Sequence, residues 1–137
     1  MKTFDINLSR TIRATPEQVF DVWLDPKSPG GFWYGSERVI VNAVVDGLFH
    51  VAMKHQDRLW SHYGRFITLD RGKTIVHTWM SEATKGIDTV VTLTLTRTDS
   101  GTEVKLTHAN VPDDDMGRMH SEGWRSILEA IAKHLEK

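Results

Sequence analysis

The chain has 137 residues, which suits one domain spanning 1–137 with a core that needs no covalent staples. It has no cysteine, which excludes disulfides and thiolate zinc sites and fits a reducing, cytoplasmic setting. Seventeen basic and eighteen acidic residues leave a net charge of −1 without a basic stripe, which argues against a nucleic-acid partner. No apolar run approaches the ~20 residues of a membrane span.

Phe4, Ile6, Leu8 and Ile12 share one parity and alternate with polar residues, the pattern of a half-buried strand. Thr15-Pro16-Glu17-Gln18 opens a helix: Thr15 caps it, Pro16 has its φ set for the first turn, and Gln18 completes a capping box. Val19, Phe20, Trp23 and Leu24 form its apolar stripe, and Asp25-Pro26 ends it. Lys27 to Gly35 reads as a loop or a short second helix. Val39 to Val45 and Leu48 to Lys54 read as strands joined by a hairpin at Asp46-Gly47, with Phe49, Val51 and Met53 on one face. Further strands follow at Leu59–Leu69, Thr74–Met80, Thr89–Thr96 and Thr102–His108, separated by short turns.

Pro112 precedes Asp113-Asp114-Asp115, acids suited to a helix start. Met116, Met119, His120, Gly123, Trp124, Ile127, Leu128, Ile131 and Leu135 then recur at helical spacing. Gly123 before Trp124 suggests a close approach of helix and sheet. The order of elements predicts an α+β fold. A curved antiparallel sheet of six to seven strands wraps a long C-terminal helix, and one or two short helices follow the first strand.

Several segments carry a resemblance in order and spacing over nearly the whole chain. They are Arg10 to Phe20, Phe32-Trp33-Tyr34-Gly35, Tyr63 to Ile67, Ile75 to Trp79, Gly101 to His108, and Gly123-Trp124. Together they resemble the activator of heat-shock protein 90 ATPase-like family. That family belongs to the START-like (polyketide cyclase/dehydrase and lipid transport) superfamily. Asp46-Gly47 departs from the two glycines the family commonly has there, and a hairpin accommodates either. The resemblance implies a helix-grip fold with a cavity between sheet and helix. It implies no particular reaction, because members bind lipids, hormones or polyketides and some are enzymes.

The candidate pocket residues are Trp33, Phe49, Val51, Met53, Trp60, Phe66, His77, Trp79, His108, Met116, Met119, His120 and Trp124, with Tyr34 also in the aromatic set. Aromatic rings can stack on a flat or apolar ligand, and methionines tolerate several ligand shapes. His108 continues the parity of Val104 and Leu106, and His120 lies one turn before Trp124. Those two are the candidate catalytic residues, since imidazole titrates near neutrality. A structural histidine bonded to a backbone carbonyl competes with that reading at each position.

His50, His55 and His62 lack a metal-ligand spacing and read as surface or turn histidines, so neither a metal nor a cofactor is expected. Arg10 and Arg65 could hold a carboxylate or phosphate in a cavity, although surface pairing suits them better. Three functional readings remain open. One is binding of a small hydrophobic or amphipathic molecule in an enclosed cavity between the sheet and the C-terminal helix. Another is a cyclase, dehydratase or hydrolase using a cavity histidine. The third is a protein-interaction, co-chaperone-like module. An open sheet edge also permits a homodimer.

Overall fold

The computed structural model describes residues 2–28, 31, 33 and 35–136. Phe32 and Tyr34, both singled out in the sequence, lie outside the described residues. Strand β1 (Thr3–Ile12) is followed by helix α1 (Pro16–Leu24). Strands β2 (Arg38–Val41), β3 (Leu48–His55), β4 (Arg58–Asp70), β5 (Thr74–Ser81), β6 (Thr89–Thr98) and β7 (Gly101–Pro112) come next. Helix α2 (Asp115–Leu135) closes the chain, and a 3-10 turn over Glu82–Thr84 sits between β5 and β6. The seven strands form one antiparallel sheet in the order β1-β7-β6-β5-β4-β3-β2.

The local signals act as expected at both helix starts. Thr15 Oγ1 accepts from Gln18 N at 3.1 Å, and Gln18 Oε1 accepts from Thr15 N at 2.8 Å. At α2 the cap is Asp114, whose carboxylate accepts from Gly117 N at 2.8 Å. Alternation fixes which strand residues face inward. Register then sets Ile6, His108, Val91, His77 and Phe66 side by side across five strands. All five are buried.

Two expectations need correction, and one open alternative is decided. The strand read over Val39 to Val45 stops at Val41. Asn42 to Gly47 instead form a turn, in which Gly47 N donates to Val44 O at 2.8 Å, while Asp46 N donates to Phe66 O on β4 at 2.8 Å. Asp46 is held at a left-handed φ of 68°, where glycine is the less strained residue. On the open alternative, among the described residues between Asp25 and Glu37 no second helix forms. Second, Gly123 is not a point of close approach, because a Cβ there would meet nothing within 4 Å. The crowded helix glycine is Gly117, whose Cβ would lie 1.8 Å from Pro112 O.

The core fills the concave side of the sheet. Trp23 of α1 stacks on Trp124 of α2 with centroids 5.8 Å apart. Trp33 Nε1 donates to the Trp23 carbonyl, which ties the segment after α1 to that helix. Helix α2 packs on β1, β7, α1 and the 3-10 turn. Its N-terminal half stands off from β3 and β4, and the gap between them is the site described next.

Candidate functional site

A cavity of about 370 Å³ lies between α2 and the sheet. The end of β3 supplies Met53, Lys54 and His55, and the start of β4 supplies Trp60 and His62. Trp79 of β5 and Ala83 of the 3-10 turn form the floor. The helical wall is Met116, Met119, His120, Gly123, Trp124 and Ile127. The cavity is open at one side rather than enclosed, with Met116 37% and Met119 61% exposed. Strand pairing explains the sheet wall: Met53 faces Trp60, and Val51 faces His62.

Seven of the residues proposed from sequence meet at this cavity: Met53, Trp60, Trp79, Met116, Met119, His120 and Trp124. Six do not. Phe49, Val51, Phe66, His77 and His108 point inward as their parity requires, and they and Trp33, from the segment after α1, are buried in the core. Parity gives the face, not what covers it, and here α1 and the rings themselves fill the space. The Phe49 ring has Trp33 at 5.0 Å, His77 at 5.2 Å and Phe66 at 5.4 Å.

His108 sits directly behind the cavity wall. Trp124 Nε1 donates to His108 Nδ1 at 2.9 Å. An acceptor Nδ1 places the imidazole hydrogen on Nε2. Nε2 lies 2.6 Å from Thr89 Oγ1, whose own hydrogen goes to the Trp79 carbonyl at 2.5 Å. Both ring nitrogens are therefore engaged, and the imidazole braces two wall tryptophans. Burial pushes its pKa down to about 3, helped by repulsion from His120 and His77.

His120 differs. Its Nδ1 lies 3.0 Å from the Gly117 carbonyl, which can only accept, so Nε2 carries the lone pair. Its ring meets His108 edge-on at 5.1 Å. Burial lowers its pKa, opposed by the carbonyls of Gly117 and Met116 and by Asp114.

His62 was read from sequence as a surface or turn histidine, and the structure overturns that. It is 9% exposed, lines the cavity and stacks on Trp79 at 4.7 Å. Burial lowers its pKa to about 4, and repulsion from His120 adds to this, while the backbone near Val51 and Trp60 pulls the other way. Its Nδ1 is nevertheless buried without a hydrogen bond of normal geometry, as is Trp60 Nε1. The signal was present in the sequence, since His62 shares parity with Trp60 and Phe66. Lys54, His55, Ala83, Gly123 and Ile127 also line the cavity without having been singled out as pocket residues.

The cavity thus presents indoles, thioethers and imidazoles, and burial holds the imidazoles of His62 and His120 below the ordinary histidine range. Among the described residues no three His, Asp or Glu side chains converge as a metal site. Arg10 pairs with Glu129 at 2.6 Å, away from the cavity, and Arg65 is exposed.

The family profile of the activator of Hsp90 ATPase homolog 1-like protein matches residues 13–136. The chain belongs to that family. Its fold is the START-like helix grip seen in solved structures. Protein CV1439 from Chromobacterium violaceum is similar at 23% identity and a TM-score of 0.78, covering 98% of this chain and 99% of that one. The Aha1 dimer from Colwellia psychrerythraea is 18% identical with a TM-score of 0.74, covering 97% and 96%. Ara h 8.0201 is 13% identical with a TM-score of 0.78, covering 98% of each chain. At these identities the likeness concerns the fold alone. No curated protein matches the sequence. Among the described residues no helix is long and apolar enough to cross a membrane.

Proposed function

We propose that this family member binds a small hydrophobic or amphipathic molecule in the cavity between β3–β5 and the N-terminal half of α2. One observation carries the reading: about 370 Å³ of space walled mainly by indole rings, methionines and Ile127. That volume is within the usual range of ligand sites, and a few polar groups among apolar walls are their usual composition. Gly123 supports it, because this helical position faces the cavity with open space beyond it. We place the protein in the cytoplasm on its lack of cysteine. A catalytic use of the same cavity would fall to His120 or His62, since His108 has both nitrogens engaged.

The test is native mass spectrometry of the protein purified from its own host, beside the Gly123→Leu variant. The wild type should carry a retained small molecule and the variant should not. The variant should fold at least as well, because leucine is the better helix former by roughly 0.5–1 kcal/mol. A ligand retained equally by both would place the site elsewhere.

A second reading concerns the outer face of β2–β4. Ile40, Leu48, Leu59 and Tyr63 are 59%, 57%, 56% and 47% exposed there. An apolar face of this kind suits protein contact, and a homodimer through it or through the short edge strand β2 follows naturally. Sedimentation at micromolar concentration that gives only a monomer would remove this reading.

A further inference from the structure

Helix α2 changes chemistry along its inward stripe. Trp124, Leu128 and Ile131 belong to the core, whereas the half beside the cavity carries Met116 and Met119 one turn apart. Leucine and methionine form helix about equally well, so helix formation does not account for the change. These two thioethers also differ from the others in burial. Met119 is 61% exposed and Met116 37%, while Met53 and Met80 are half-buried. Met53, on the facing wall, packs against the core cluster, and Met116 and Met119 stand outside it. The chain has no cysteine, so methionine is its only sulfur. Exposed thioethers are the ones a peroxide reaches, and oxidation turns a flexible apolar side chain into a polar one.

We infer that Met119, with Met116 beside it, is a reversible oxidation site at the cavity mouth, and that its sulfoxide weakens the hold of the cavity on an apolar ligand. The inference rests on the ligand-binding reading above and adds a means of regulating it. A hydroperoxide transfers one oxygen to the thioether. The S–O bond forms as the O–O bond breaks, sulfur gives up an electron pair, and the other peroxide oxygen takes the proton and leaves as water or an alcohol. The sulfoxide oxygen is a hydrogen-bond acceptor, so an apolar ligand laid against it must strip its water. The fold is spared, because the oxygen is added to side chains outside the core cluster. Methionine sulfoxide reductases reverse the step, one enzyme for each sulfoxide epimer, with a pair of thiols becoming a disulfide as the oxygen leaves as water.

Limited treatment with hydrogen peroxide tests this, mapped by peptide mass spectrometry and paired with titration of decanol by tryptophan fluorescence. Met119 should oxidise first and Met116 next, ahead of Met53 and Met80. The oxidised protein should bind decanol at least about fivefold more weakly, with its thermal midpoint unchanged, and the two reductases should restore the affinity. Whatever affinity the Met116→Leu, Met119→Leu double variant starts from, peroxide should not lower it. Oxidation of Met53 or Met80 before Met119 would overturn the inference. So would an affinity unmoved by oxidation of Met119, a loss that the reductases do not repair, or an equal loss in the double variant; each of these leaves the cavity a ligand site. If the untreated protein binds no decanol, the ligand-binding reading fails and the inference fails with it.

Discussion

Acid should unfold this protein early, because three histidines are held neutral inside it. His62 and His77 are lowered from 6.5 to about 4 and His108 to about 3, in each case first by burial. The unfolded chain exposes all three with ordinary affinities for protons. Below pH 6.5 the unfolded state therefore binds more protons than the folded one, and stability falls as pH falls. Above about pH 6.5 these groups contribute no pH dependence. At pH 5 each group costs about 2 kcal/mol, taking about 1.4 kcal/mol per pH unit between 6.5 and 5. Three together cost about 6 kcal/mol, comparable to the whole stability of a typical domain at about 5–15 kcal/mol. Carboxylates add little above pH 5, so the window belongs to the histidines. Urea unfolding by tryptophan fluorescence at pH 7.5, 6.5, 5.5 and 5.0 measures it. His77→Leu should remove about a third of the slope. A midpoint constant from pH 7.5 to 5.0 would refute the reasoning.

Other substitutions probe single contacts. Thr89→Val keeps the volume but strips His108 Nε2 of its partner, and should cost about 1–3 kcal/mol in chemical denaturation; a neutral result would mean the relay is not formed. Gly117→Ala and Gly123→Ala should have opposite signs. The first drives a methyl into Pro112 O and should lose at least about 2 kcal/mol, while the second meets nothing and should gain about 0.5–1 kcal/mol. Equal thermal shifts would contradict the packing of α2. Asp46→Gly should raise the melting temperature slightly, by relieving a side chain held at φ 68°. A lower melting temperature would show that the aspartate side chain stabilises the turn.

How far the sequence could be read depended on which interaction decided each feature. Capping at Thr15 and the stripe of α2 are local, so their residues announce them. Strand parity is also local, and it correctly turned Phe49, His77 and His108 inward. The space those side chains enter is set by α1 and by Trp23, far away in the chain, so parity alone could not separate core from cavity wall. His62 shows the converse. Its company in a histidine-rich hairpin suggested a turn residue, whereas its parity with Trp60 and Phe66 was the better guide. Gly123 was misread because a helical glycine can signal either tight packing or empty space, and only the opposite wall distinguishes them.

The strand order also shapes how the chain must assemble. Six of the seven strands pair with neighbours in sequence, as a run of local hairpins from β2 to β7. β1 alone pairs across the chain, Ile6 with His108 and Ile12 with Thr102. During synthesis at about 5–20 residues per second, β1 therefore waits roughly 5–20 s for its only strand partner to be made. Through that interval its apolar face has no sheet to join, and the polar residues Asp5, Asn7, Ser9 and Thr11 on its other face limit pairing with foreign strands. Docking of β1 also completes the surface on which α2 rests, since α2 packs on both β1 and β7. The cavity then takes its final shape only when the first strand and helix α2 meet across the sheet.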